Sequence, residues 1–424
     1  NAQNDKVSIN DTGLGFTYHG TGTRSVTQSH TFNGRFSVSY VTGAHQLKMG
    51  LFVMTDLGSH KTYSNRGPLD AGGLPVSYTF LNGVPTGLTQ YASPLGTKIT
   101  SRDYGLFVQD QWRVKRLTVN VGLRYDQIIE RAAKTYLDGG VLIGPRLFDK
   151  VDNVPNWKDV NPRVGVAYDL FGDGKTALKF GVNRYVIAAT IGVATTFAPA
   201  NSTVSSTTRS WVDANRNFLP DCNLINTAID GECGPMANAN FGKLVVTTNP
   251  DPDWITGWGK RGYNWQMSVS IDRELMRGVA VNAGYFRTWY GNFTVTDNLA
   301  VTPADYDPYC ITAPVDPRLP SNISGQQICG LYDIKPSKFG QVNNLVTLAK
   351  DYGKPTEVYN GADVNFAIRL ANGATLSGGW NVGTSIQTGV SAGGRPNRGP
   401  TTASWWIRRS SCITAMFGTR ISIG

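Results

Sequence analysis

Apolar and polar residues alternate with a period of two along much of this chain. Between Leu117 and Asp126, the residues Leu117, Val119, Val121, Leu123 and Tyr125 fall on one side of an extended backbone, and Thr118, Asn120, Gly122, Arg124 and Asp126 on the other. Successive side chains of a strand point to opposite faces, so the pattern predicts a strand with one oily and one wet side. The same division runs through Tyr104 to Val114, Val164 to Leu170, Leu178 to Val186, Trp265 to Leu275, Val279 to Trp289 and Val364 to Leu370.

The connections alternate as well. Short reversals are expected at Thr42-Gly43, Lys115-Arg116, Gly172-Asp173-Gly174, Met276-Arg277-Gly278 and Ala371-Asn372-Gly373, where glycine, aspartate and asparagine tolerate tight hairpin geometry. Between them lie long connections near 58–98, 132–159, 188–262 and 294–357, rich in Pro, Asn, Gly, Asp and Thr. An antiparallel meander sends every second connection to the same end, so all the long loops gather at one end and all the short turns at the other. The expected fold class is therefore all-β: an antiparallel meander forming part of a large transmembrane β-barrel, with long extracellular loops and short periplasmic turns. Strands of about 10 residues cross a bilayer when tilted. Tyr104, Trp112, Tyr125, Tyr168, Tyr185, Trp265, Tyr285 and Trp289 stand toward strand ends, where interfacial girdles need aromatic rings. A soluble sandwich instead predicts strands of about 5 or 6 residues and turns every 8 to 12.

Composition supports this picture. The 424 residues include 48 glycines and 11 % aromatics, only 17 % are charged, and the 40 % that are apolar form no long runs. Even Val186 to Ala200, the least polar stretch, falls short of the roughly 20 apolar residues of a spanning helix. The polar start at Asn1, without a signal peptide, leads to the expectation of a fragment or a processed form. A net charge of +10 could serve nucleic acid, lipid phosphates or anionic cargo, but Lys and Arg are scattered singly with no basic helix, so no nucleic-acid partner is expected.

Candidate chemistry is sparse. Cys222 with Cys233, and Cys310 with Cys329, form two local pairs within long connections, leaving Cys412 over. The pairs are read as disulfides bracing loops in an oxidising compartment. Zinc is disfavoured because neither pair has Cys-x-x-Cys spacing and the four histidines, His19, His30, His45 and His60, lie far away in sequence. In the segment 212–224, Asp213, Asn215, Asn217 and Asp221 occupy positions one, three, five and nine of an EF-hand-like loop, a candidate calcium site. Phe218 replaces its glycine and Leu224 its bidentate glutamate. The competing reading is an Asn/Asp-rich turn stapled by Cys222. No hydrolase elbow, HExxH, Walker loop or dinucleotide fingerprint is found. Asp251 and Asp253 read as a turn, so no enzyme activity is expected. On the wet faces Gln109, Gln111, Arg113, Asn120, Arg124, Arg163, Lys179, Asn183 and Arg369 would line a lumen and could steer an anionic or saccharide-like cargo.

Four segments also carry a family resemblance. GLFVQDQWRVKRLTVNVGLRYD (Gly105 to Asp126) resembles the "QD-W" to "L-GLRYD" hairpin of TonB-dependent outer-membrane receptors. NPRVGVAYDLFGDGKTALKFGVNRY (Asn161 to Tyr185), YNWQMSVSIDRELMRGVAVNAGYF (Tyr263 to Phe286) and YNGADVNFAIRLANGATLSGGWNVG (Tyr359 to Gly383) resemble further hairpins of that barrel, in order. The likeness extends from about His30 to Gly394 and is greatest to the Oar-like subgroup, which carries a carboxypeptidase-regulatory-like domain. It implies a bacterial outer-membrane importer of an oligosaccharide, peptide or metal chelate, with a 22-strand barrel, a plug and a TonB box coupled to an inner-membrane TonB complex. This chain matches about half of such a barrel and neither plug nor TonB box, so residues 1–394 are expected to be a partial barrel. Residues 395–424, with five arginines, no Asp or Glu and no clean alternation, are expected to be an atypical basic tail, truncated or frame-shifted. The alternative function is a passive or adhesive outer-membrane barrel; a secreted soluble β-protein ranks below both.

Overall fold

The computed structural model describes residues 6–64, 73–189, 191–370, 373–389 and 407–420, the last of these as backbone. The first part of the chain forms β1 (Ser8–Asp11), β2 (Phe16–Tyr18), β3 (Thr23–Thr42), β4 (His45–Ser64), β5 (Val76–Leu81), β6 (Val84–Tyr91), β7 (Leu95–Val114) and β8 (Leu117–Ala132). Next come β9 (Thr135–Leu137), β10 (Arg146–Phe148), β11 (Val151–Asp169), β12 (Thr176–Val186), α1 (Gly192–Thr196), β13 (Ser206–Ser210), β14 (Thr248–Pro250), α2 (Pro252–Ile255) and β15 (Thr256–Trp258). The remainder holds β16 (Tyr263–Met276), β17 (Val279–Gly291), β18 (Thr294–Asn298), β19 (Tyr306–Thr312), β20 (Gln327–Ile334), β21 (Asn344–Leu348), β22 (Thr356–Arg369), β23 (Thr375–Thr388) and β24 (Ile407–Arg420).

Eleven of these strands make one antiparallel path, β24-β23-β22-β17-β16-β12-β11-β8-β7-β4-β3, with β15 pairing in parallel alongside β11. Each strand neighbours the next long strand along the chain, as a meander requires. The expected short reversals occur at one end: Thr42 to His45, Val114 to Leu117, Asp169 to Thr176 and Met276 to Val279. Of the reversal at Ala371-Asn372-Gly373, Ala371 and Asn372 lie outside the described residues, and Gly373 has φ +83°. Asp169 fixes its turn by accepting hydrogen bonds from the backbone N–H of Gly172 (2.9 Å) and Gly174 (3.0 Å).

Residues directly opposed in a ladder share a face, so the register sorts the side chains. Val108 opposes Leu123 and Met49, Leu123 opposes Pro162, Val164 opposes Val121 and Val182, and Val269 opposes Phe180 and Tyr285. Leu106, Val108, Val121, Leu123, Phe180, Val269 and Val364 on this face are exposed to the surroundings, so the sheet does not bury its apolar side in a core. Cores lie instead among the long connections, where strands are longer than alternation alone suggested: β11 begins at Val151 and β4 continues to Ser64.

The described residues of those connections form structure of their own. Strands β1, β2, β5, β6 and β13 assemble a five-stranded sheet in the order β13-β6-β5-β1-β2, with β1 and β5 parallel. Val76, Tyr78, Phe80, Leu88, Trp211 and Leu224 pack in its core beside Cys233. Strand β24 comes from the segment read as a basic tail. Residues read as a tail lie alongside β23, Ile407 opposite Thr388 and Arg420 opposite Thr375. Ladder pairing needs only backbone N–H and C=O groups, so side-chain alternation was not required for it. Residues 390–406 and 421–424 lie outside the described residues.

Candidate functional site

At the end of the sheet that carries the long connections, a cavity of about 680 Å3 opens between the strand ends and the chain that crosses above them. Trp157 of β11, Phe197 just after α1 and Trp254 of α2 give it aromatic walls, with Tyr290 and Phe293 on the far side and Glu357 and Gln387 at the adjoining ends of β22 and β23. Trp157 is held by its indole N–H, which donates to the Trp254 carbonyl (2.7 Å), and Trp254 meets Phe197 edge-on at 6.3 Å. Asp251, read as part of a turn, caps α2 by accepting from the Asp253 N–H at 2.8 Å.

Beside the cavity lies a cluster of buried charges that sequence reasoning missed. Arg261, just before β16, is buried among the carboxyl groups of Asp103, Asp159, Asp126 and Glu130, and its Nε donates to the Ile187 carbonyl (2.7 Å). Burial lowers the pKa of this guanidinium, and the surrounding carboxylates pull it back up. Asn161 donates to Asp126 (2.7 Å), and Arg184 bonds both Asn161 (2.7 Å) and Asp159 (3.2 Å). Glu130 accepts from the Ala194 N–H (3.4 Å), which docks α1 on the wall. The network ties two stretches of the 187–262 connection to β7, β8 and β11. The available signal was faint: Asp126, Glu130 and Asp159 continue the wet-face parity beyond the point where oily neighbours mark it.

The nine polar positions expected on the wet side do share one face. Gln109 opposes Gly122, Gln111 opposes Asn120, Arg163 opposes Gly122 and Asn183, and Arg369 opposes Thr375. They form no single site. Arg113, Lys179 and Arg369 sit near the short turns, while Arg124 lies toward the cavity. Two of the cations are already paired, Arg124 with Asp126 (2.6 Å) and Lys179 with Asp272 (2.7 Å), and Arg163 stacks over Tyr185 at 4.9 Å. That contact places Tyr185 on the wet face, unlike the other seven girdle aromatics.

Both cysteine pairs form disulfides, Cys222–Cys233 and Cys310–Cys329, the second across the β19–β20 hairpin. The candidate calcium residues come together, but on one another. Asp221 accepts from the amides of Asn215 (2.6 Å) and Asn217 (3.0 Å), and Asp213 accepts from the backbone N–H of Asn217 (3.1 Å) and Phe218 (3.0 Å). Glu232, across the disulfide, accepts from the Ala214 N–H (2.8 Å) and the Trp211 indole (3.2 Å). Among the described residues no group of three or more His, Cys, Asp or Glu side chains is arranged to hold a metal ion.

A family model described as an outer membrane beta barrel domain matches residues 2–411. The chain belongs to this outer membrane β-barrel family. It is also similar to solved structures, among them the following three. For the outer membrane transporter YddB from Escherichia coli the identity is 12 %, the TM-score 0.42, and 86 % of this chain and 34 % of that one are covered. The siderophore receptor PiuA from Acinetobacter baumannii gives 10 %, 0.40, 90 % and 41 %. FpvA from P. aeruginosa, solved with heterologous pyoverdines, gives 12 %, 0.36, 92 % and 42 %. The chain thus spans less than half the length of these structures. No curated protein matches it in sequence.

Tyr104, Tyr125, Trp265 and Trp289 edge the exposed apolar face toward the long connections, Trp265 stacking on Trp289 at 6.2 Å, the positions at which outer-membrane barrels carry aromatic girdles. Trp112 and Tyr168 edge it at the turn end. His45 there reaches Asp110 at 2.6 Å, on the apolar face but one step from the turns. The stretch from Tyr104 to Trp112 is the length a tilted strand needs to cross.

Proposed function

We propose that this chain is the ligand-gathering portion of the barrel of a TonB-dependent receptor, which takes up a small-molecule, saccharide or peptide cargo. The observation that carries the reading is the cavity at the loop end. Its wall residues Trp157, Tyr290, Glu357 and Gln387 share the face that runs down the sheet as Gln109, Asn120, Asn183 and the other polar positions. A cargo captured there would stand at the head of a polar surface leading across the membrane. Energised uptake needs a plug and a TonB box, which on this reading are supplied by sequence outside this stretch, with the TonB complex as partner.

The test is the coding sequence that flanks these residues, followed by uptake measured in cells with and without a functional TonB complex. A plug with a TonB box upstream, and uptake lost on removing TonB, are expected. An uninterrupted barrel without a plug, conducting passively in planar bilayers, would instead make this a passive or adhesive outer-membrane protein.

A further inference from the structure

Building on the receptor reading, we propose that the loop-end cavity takes a ligand bearing a protonated amine or quaternary ammonium group on an apolar or aromatic body. Its size, about 680 Å3, lies within the range of small-molecule sites. Its lining combines five aromatic rings, those of Trp157, Trp254, Phe197, Tyr290 and Phe293, with aliphatic side chains such as Ile187, Val193 and Val346; ring faces carry a negative quadrupole that attracts cations.

The charges at the cavity decide the sign. Among the described residues two charged side chains contribute to its lining, Arg261 and Glu357. Arg261 is buried, its charge is matched by the carboxyl groups of Asp103, Asp126, Asp159 and Glu130, and one of its donors is spent on the Ile187 carbonyl. Glu357 accepts from the neutral Gln387 amide (3.2 Å) and has no ion-pair partner among the described residues. Among the described side chains the charge offered to a ligand is therefore negative. Lys350 and Lys354 line a neighbouring recess that shares the 290–293 segment, not the walls of this cavity. An anionic cargo, expected from the scattered cations of the wet face, would meet Glu357 and the ring faces with its own charge uncompensated.

The test uses the full chain, folded in lipid nanodiscs, and three probes with one body and three head groups: 4-phenylbutylammonium, 4-phenylbutanol and 4-phenylbutanoate. Binding is read by quenching of tryptophan fluorescence and by saturation-transfer NMR. The ammonium probe should bind best and the carboxylate worst. Glu357→Gln should weaken the ammonium probe about tenfold and leave the alcohol unchanged, and Glu357→Lys should reverse the preference toward the carboxylate. Heat-modifiable migration on gels certifies that each variant is folded. Equal binding of the three probes, no binding, preference for the carboxylate, or an unchanged ammonium affinity in folded Glu357→Gln overturns the proposal. The importer reading is judged separately, by the flanking sequence and by TonB dependence. A plugged, energised receptor can thus fail the probe series, and a passive barrel can pass it.

Discussion

Asp11 shows how much one side chain can organise. Buried at the end of β1, its carboxylate accepts hydrogen bonds from four backbone N–H groups, those of Gly13 (3.0 Å), Leu14 (3.0 Å), Asn82 (2.9 Å) and Gly83 (2.7 Å), and so joins two turns of the five-stranded loop sheet. Burial alone would push its pKa up, but the four bonds favour the charged form and hold it below the ordinary value. A depressed folded-state pKa means that this stabilisation is complete above about pH 4, the unfolded value, and is lost as pH falls through the folded one. Amide protection at Gly13 and Gly83 should therefore drop on acidification below about pH 4, and Asp11→Asn should show low protection throughout, as read by hydrogen exchange. The face assignment is testable one residue at a time as well. Leu123→Arg, in the middle of the apolar band, should cost about 2 to 4 kcal/mol of folding free energy in lipid vesicles. Asn120→Arg, three residues away on the opposite face, should cost little; equal penalties in urea titrations would refute the two-sided sheet.

The hairpins and loops divide into elements of different origin. Short turns rest on local backbone chemistry: Gly278 has φ +81°, and a Cβ there would meet the Arg369 carbonyl oxygen at 2.6 Å. Gly278→Val should therefore destabilise the β16–β17 hairpin by more than about 1 kcal/mol, visible as a lower urea midpoint. The long connections rest on tertiary contacts and on the disulfides. Arg209 on β13 is buried and donates to the Gly234 (2.7 Å) and Ala228 (2.5 Å) carbonyls, while Cys222–Cys233 closes a loop of sequence separation 11 around the same segment. Replacing both of these cysteines by serine should loosen the loop sheet by about 2 to 4 kcal/mol. Limited proteolysis should then cut within residues 212–236 while the long strands stay intact.

Across the molecule, the buried charge cluster joins the two kinds of structure. Arg261 comes from a long connection, and its carboxylate neighbours come from β7 and β8 and from β11, so the cavity wall and the sheet are held in one arrangement. Removing the cation takes compensation away from the buried Asp103 and Glu130, while Asp126 keeps Arg124 and Asp159 keeps Arg184; breaking a buried pair costs about 3 to 5 kcal/mol. Arg261→Met should free the 187–262 connection to proteases and abolish probe binding in the cavity, yet leave the heat-modifiable sheet assembled. If the sheet fails to assemble instead, the cluster belongs to the barrel rather than to its crown.

The meander, its two faces and the end at which long loops gather were legible along the chain because each follows from local periodicity and turn chemistry. Leu117 to Asp126 shows its sides without any partner strand, and Gly172-Asp173-Gly174 announces its reversal. The two loop disulfides were legible too, since their cysteines are near neighbours. What could not be read were contacts between distant segments: β1 beside β5, Trp157 under Trp254, Arg261 among four carboxyl groups, and Ile407–Arg420 taking a place beside β23 without an alternating pattern. Periodicity records which solvent a side chain meets, whereas a cavity is built where irregular chain returns to a regular wall, and no local pattern encodes that return.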